Sequence, residues 1–146
     1  SDDCESYDRA CENLADELGR AAELNPSDAV LCCGCGSVDE VRHYKNAFRL
    51  RHVTGIDPHL AEEAGRRTDE NDCNVRTLRA SVEDLARSAE NEEPLFPPRL
   101  FDKVLALDNA YHYPSKYSFF RDCHAMLPGG GKVAVSDIVS KRHGDR

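Results

Sequence analysis

Apolar positions along this chain repeatedly change their period. In "ESYDRACENLADELGRAAEL", Tyr7, Cys11, Leu14, Leu18 and Ala21 or Ala22 recur every three to four residues, which predicts an amphipathic helix. Asn25-Pro26 ends it. "DAVLCC" is a short unbroken apolar run, read as a strand. In "SVDE" a serine and a glutamate stand three apart, the pattern of a capping box with Ser37 as N-cap and Glu40 reaching back. The helix opened there extends to about Leu50. "RHVTGID" reads as a second strand. Asp57-Pro58 reads as the start of another helix, because Asp caps well and Pro fits the first helical position. "NVRTLRA" alternates like a third strand, "SVEDLARSAENEE" opens with a second Ser-x-x-acid cap, and "FDKVLAL" is a fourth strand. After Pro114 a helix is expected with Tyr117, Phe120, Cys123 or His124, and Leu127 on one face. "PGGGK" ends that helix and "KVAVSDIV" is the fifth strand.

Helix and strand thus alternate along the chain. That order predicts an α/β fold, a Rossmann-like, doubly wound and mostly parallel sheet with strand order 3-2-1-4-5 and helices on both faces. The 146 residues suit one domain, 1–146. No internal repeat is visible. "ENEEPLFPPRL" is too acidic and proline-rich for regular structure and reads as a surface loop.

Composition changes this picture little. Forty per cent hydrophobic and 32% charged residues describe a soluble globular protein. No apolar stretch approaches the roughly 20 residues that span a membrane, and "SDDCESYDRAC" has neither the basic nor the apolar region of a signal peptide. A cytoplasmic location is the expectation. A net charge of −8 argues against general nucleic-acid binding, which needs a basic face. The basic run "VRHYKNAFRLRH" reads as the solvated side of a helix.

The seven cysteines (Cys4, Cys11, Cys32, Cys33, Cys35, Cys73 and Cys123) are odd in number and lack paired spacing. They read as free or buried thiols in a reducing compartment rather than as a disulfide framework. Cys32, Cys33 and Cys35 raise the question of a metal. Structural zinc sites use pairs spaced C-x₂₋₄-C, and neighbours on a strand point to opposite faces, so Cys32 and Cys33 do not share an ion. No metal site is expected; the cluster reads as small buried hydrophobes.

In such a sheet ligands sit at the carboxyl ends of the strands, where strand order reverses. Gly34-Cys35-Gly36 lies there, between the first strand and the helix opened by Ser37. Glycines admit close backbone approach, and a helix N-terminus offers free N–H groups. The third glycine of G-x-G-x-x-G is missing, which weakens an NAD-linked oxidoreductase reading. Asp57 ends the second strand 21 positions after Gly36, placed to accept hydrogen bonds from both hydroxyls of a ribose; as a helix cap it has a second role open to it.

Together "AVLCCGCGSVDE", "VTGID", "RASVEDL", "FDKVLALDNAYHYP" and "MLPGGGKVAVSDIV" resemble class I S-adenosylmethionine-dependent methyltransferases, most closely the branch acting on small molecules. The resemblance runs from Asp28 to Val139 and implies S-adenosylmethionine as cofactor. It implies that Gly34, Cys35 and Gly36 pass under the methionine part, that Asp57 with Pro58 beside it holds the ribose, and that Ser81, Val82 and Glu83 edge the adenine. Leu107 to His112 would flank the methyl group and the acceptor, with Asp108, Tyr111 and His112 as candidate catalytic groups. Histidine is a residue type suited to a general base, whereas a packed or solvent-facing aromatic pair in "AYHYP" is the bland alternative.

The family pattern has an acid where Cys32 stands, a third glycine at Val38, and often an aspartate at Ser81. Each lost group weakens the expected cofactor affinity. The family's last two strands, a hairpin beside strand five, are missing, so the chain reads as truncated after strand five. Two functions follow: methyl transfer to a small organic acceptor, or a non-catalytic methyltransferase-like domain serving as a binding or scaffold module. An uncovered fifth strand also suggests self-association.

Overall fold

The computed structural model describes residues 2–60, 66–69, 72–97 and 100–139. In chain order the elements are α1 (Asp2–Ala21), β1 (Ala29–Cys33), α2 (Val38–Ala47), β2 (His52–Ile56), β3 (Arg66–Asp69), β4 (Asp72–Leu78), α3 (Val82–Ser88), β5 (Lys103–Ala106), α4 (Lys116–Met126) and β6 (Lys132–Val135). A 3₁₀ turn covers Ala110–His112. The strands form one sheet in the order β3-β4-β2-β1-β5-β6. The pairs β4–β2, β2–β1, β1–β5 and β5–β6 are all parallel. These five strands are those the sequence predicts, in the predicted order 3-2-1-4-5.

The sixth strand is a correction. β3 adds to the outer side of β4 in antiparallel sense, with Arg66 opposite Leu78 and Asp69 opposite Asp72. It lies where a helix was expected after Asp57-Pro58. Pro58 and His59 form a turn instead, and residues 61–65 lie outside the described residues. The two residues between Asp69 and Asp72 lie outside the described residues. β6 is also shorter than "KVAVSDIV": Ser136 N–H still donates to Ala106 O, at 3.0 Å. Asp137 then bonds Ile138 N–H and Lys116, and β5 offers no further partner.

Alternation along the strands sends side chains to two layers. Val30, Cys32, Val53, Val75 and Leu105 pack with Ala15 and Leu18 of α1, Ala22 just after it, and Val41 and Tyr44 of α2. Leu31, Cys33, Ile56, Val104 and Ala106 face Val82 and Leu85 of α3 and Phe119, Cys123 and Met126 of α4. The expected separation of Cys32 from Cys33 is therefore present.

Two helical stripes differ from their predictions. In α1, among the described side chains, those that are buried lie in the C-terminal half; Tyr7 is 70% exposed and Cys11 and Leu14 face solvent. In α4, Phe119, Asp122, Cys123 and Met126 are buried, whereas Tyr117, Phe120 and His124 are exposed. The α4 sequence holds two apolar stripes at helical spacing, and contact with the sheet selects one.

Ser37 caps α2 through Asp39 N–H, at 3.3 Å, and α2 ends at Ala47, short of the expected Leu50. The capping box of α3 is complete: Ser81 Oγ accepts from Asp84 N–H at 3.1 Å, and Asp84 Oδ2 accepts from Ser81 N–H at 2.8 Å. These bonds hold the Asp84 carboxyl below its usual range. At the amino edge of the sheet, buried Lys103 donates to Ala22 O at 3.1 Å and so occupies the carbonyl end of α1. Helix α1 therefore runs opposite to the strands. The proline-rich loop joins the end of α3 to the start of β5, at that same edge and away from the carboxyl ends.

Candidate active site

At the carboxyl edge, β1 turns into α2 through Gly34, Cys35 and Gly36. Gly34 and Gly36 have φ of +67° and +62°, the left-handed region that glycine enters without strain. The turn is tied to β2: Gly34 N–H donates to Ile56 O at 2.7 Å and Cys35 N–H to the same oxygen at 3.2 Å. The Cys35 side chain points inward, 3% exposed, against Gly55, where an added Cβ would lie 2.7 Å from its sulfur. Cys35 therefore offers only backbone to a ligand. Above Gly36 a Cβ would meet nothing within 4 Å, so this backbone is open to the outside.

Asp57 follows β2 directly. Its Oδ2 accepts from Gly36 N–H at 2.9 Å and its Oδ1 from His59 N–H at 2.8 Å. The carboxylate thus closes the turn after β2 and joins it to the glycine turn. Each oxygen keeps a second lone pair for another donor. Pro58 is exposed, and its carbonyl accepts from Arg79 Nε at 3.3 Å.

Ser81, Val82 and Glu83 begin α3 and line a cavity of about 250 Å³, whose other wall includes Tyr113, Ser118 and Phe119. Val82 is buried in the α3/α4 layer, and Glu83 is exposed, 2.5 Å from Arg87. Leu107 packs against the α1/α2 layer. Asp108 is exposed and left-handed, with φ 48°, and its N–H donates to Ser136 Oγ at 2.6 Å. Asp is one of the few non-glycine residues that tolerates this conformation. Tyr111 and His112 are exposed on the 3₁₀ turn, their ring centroids 4.3 Å apart. The sequence-predicted residues are thus gathered along one edge, at the ends of β1, β2, β4 and β5.

Two residues of this edge have roles that sequence reading did not assign: Asn109, within the expected Leu107 to His112 stretch, and Glu40, read as a helix cap. Asn109 lies across the end of β1 and donates through Nδ2 to Cys33 O at 2.6 Å and Gly34 O at 3.2 Å. Glu40 is half-buried and faces the site; burial first, then the Asp57 carboxylate, push its pKa up to about 8. The Ser37-x-x-Glu40 spacing predicts that Glu40 reaches back to the Ser37 N–H, but that N–H donates to Cys35 O, at 2.5 Å, and only the Ser37 side of the cap forms, so the capping pattern hid where Glu40 stands. Cys32 is fully buried in the α1/α2 layer, with its thiol pushed well up by burial, and supplies no carboxylate. Among the described residues no group of three His, Cys, Asp or Glu is placed to hold a metal ion.

A parallel sheet with a glycine turn after its first strand, an acid after its second and open backbone between them defines a Rossmann-like nucleotide-cofactor domain. A family model for a methyltransferase domain matches residues 31–135, so the chain belongs to that family, the class I S-adenosylmethionine-dependent methyltransferases. Erythromycin 3''-O-methyltransferase of Saccharopolyspora erythraea is 27% identical over 141 residues, covering 93% of this chain and 43% of that protein. The 27-O-demethylrifamycin SV methyltransferase of Amycolatopsis mediterranei is 28% identical over 140 residues, covering 94% and 48%. The crystal structure of the MccD protein superposes with a TM-score of 0.66 at 17% identity, covering 86% of this chain and 52% of that one. The chain thus spans about half the length of the curated relatives it matches. Among the described residues no helix is long and apolar enough to cross a membrane.

Proposed function

We propose that this chain binds S-adenosylmethionine along the carboxyl edge of the sheet and takes part in methyl transfer to a small organic acceptor in the cytoplasm. The observation that carries the reading is the Gly36–Asp57 junction, where left-handed open backbone and a carboxylate with spare lone pairs meet at the strand-order reversal. When bound, the cofactor supplies a methyl group on a sulfonium, open to in-line displacement by an acceptor's lone pair. Asp57 accepts hydrogen bonds from ribose hydroxyls. Gly34 to Gly36 let the methionine portion pass close to backbone. Ser81 to Glu83 edge the adenine. Glu40 offers the carboxylate that Cys32 lacks, and a cationic ligand beside it favours loss of its proton. Asp108, Tyr111 and His112 stand at the acceptor side, where His112 takes the proton of an acceptor that must lose one.

Both relatives are O-methyltransferases or act on a demethylated natural product by name, which supports a small-molecule acceptor rather than nucleic acid. The buried thiol at Cys32 favours a second reading, a non-catalytic methyltransferase-like domain acting as a binding or scaffold module.

Calorimetric titration with S-adenosylmethionine, its demethylated product and NAD tests the proposal. Saturable binding of the first two and none of NAD is expected; no heat from either sulfur compound overturns it. Asp57→Ala should weaken binding about tenfold or more, since hydrogen bonds to a charged group contribute roughly 1.5–3 kcal/mol. Binding at wild-type strength would leave Asp57 as a turn-closing residue only. His112→Asn separates the two readings: cofactor affinity should persist while any methyl transfer falls.

A further inference from the structure

The carbonyl oxygens of Cys33 and Gly34 extend past the level where β5 ends. Cys33 is paired with Ala106, the last residue of that strand, so the ladder supplies no donor further on. Asn109 provides it instead, its Nδ2 lying 2.6 Å from Cys33 O and 3.2 Å from Gly34 O. A Cβ at Gly34 would come within 2.4 Å of that nitrogen, so glycine is needed for the amide to fit. Asn109 Oδ1 in turn accepts from Tyr113 Oη at 3.0 Å. The Tyr113 ring stacks on Phe119, with centroids 4.4 Å apart and planes 10° from parallel. That ring also walls the cavity shared with Ser81, Val82 and Glu83.

One line of contacts therefore runs from the cavity through Tyr113 and Asn109 to the glycine turn. We propose that Asn109 and Tyr113 are positioning residues, a strut that holds the Gly34–Gly36 turn ready for ligand and joins the turn to the cavity beside α3. The link to a ligand rests on the cofactor reading above: the adenine end lies against Tyr113 and the methionine end against the turn. Both ends of one molecule then bear on the same strut. Neither residue touches a reacting atom through the bonds that make the strut.

The test uses the whole chain with Asn109→Ala, Tyr113→Phe and the double variant. Tyr113→Phe keeps the ring and its stacking and removes only the hydroxyl. Amide hydrogen exchange at Gly34, Cys35 and Gly36 is measured without ligand, and the affinity for S-adenosylhomocysteine by calorimetry. Tyr113→Phe should quicken exchange at these three amides roughly fivefold to tenfold, as expected for one lost hydrogen bond, and weaken affinity by a similar factor; Asn109→Ala, which also loses the bonds to Cys33 O and Gly34 O, should do so at least as much. Exchange at Val53 and Val104 should not change. The double variant should match Asn109→Ala, because Tyr113 acts through Asn109. Wild-type exchange at the turn in the single variants overturns the strut, as does a double variant equal to the sum of both. Failure of the wild-type chain to bind S-adenosylhomocysteine overturns the cofactor reading, and the exchange data still decide the strut.

Discussion

Glu40 stands on α2 among groups that oppose its ionisation. Burial and Asp57 push its pKa up from 4.5 to about 8, and its charge also bears on the thiols of Cys32, Cys33 and Cys35 and the phenols of Tyr44 and Tyr113. Between those two pH values the folded chain keeps a proton that the unfolded chain has released. Stability conferred below pH 4.5 is therefore lost as pH rises through about 8. Glu40→Gln removes that slope. Its urea midpoint should track wild type near pH 4.5 and exceed it above pH 8, whereas a constant offset would clear Glu40. Tyr44 carries a buried hydroxyl that has no hydrogen-bond partner among the described residues. Tyr44→Phe should therefore raise unfolding free energy by about 1 kcal/mol, read by urea denaturation; a loss would reveal a partner for that oxygen. Gly34, Gly36 and Asp57 were legible in the sequence because backbone conformation and charge restrict which residues serve there. The role of Asn109, inside the expected Leu107 to His112 stretch, was not legible, since its targets are two main-chain carbonyls that no residue pattern marks. Glu40 was hidden behind a capping motif, and only the tertiary approach of β2 sets it beside Asp57.

At the scale of elements, β2 and α2 meet where Gly55 leaves room for Val41 and Cys35. A Cβ on Gly55 would fall 2.5 Å from Val41 Cγ2 and 2.7 Å from Cys35 Sγ. Both neighbours are buried, so Gly55→Ala should cost about 1–3 kcal/mol through overpacking. Adding Cys35→Ala removes one of the two conflicting atoms and should recover part of that loss. Denaturation of both variants checks this, and additive losses would count against the packing account. The parallel strands were readable as short apolar runs bounded by turns, and the α3 cap by its Ser-x-x-Asp spacing. Periodicity could not say which stripe of α4 meets the sheet, nor that Tyr7, Cys11 and Leu14 of α1 stay exposed, because those choices belong to the partner surface. The expected helix after Pro58 and the observed β3 compete for one polar segment, and pairing with β4 decides between them.

The whole sheet ends in β3 on one side and β6 on the other. Among the described residues no strand pairs with the outer edge of β6, and Ile138 and Val139 beyond it are 70% and 89% exposed. Unpaired N–H and C=O groups beside apolar side chains favour association with another strand. Sedimentation over a range of concentrations should show a mass that rises with concentration; a constant monomer mass would show that the edge is tolerated. The placement of the cysteines in separate layers has a further use. Burial pushes the thiols of Cys35 and Cys123 up to about 12, one on each side of the sheet, while Cys11 is exposed. Alkylating reagents consume thiolate, so Cys11 should react first and each buried thiol only when its own layer opens. Modification rates followed residue by residue would then time the two sides independently. One labelling experiment thus reports whether the layer that carries Cys35 opens before, with or after the layer that carries Cys123.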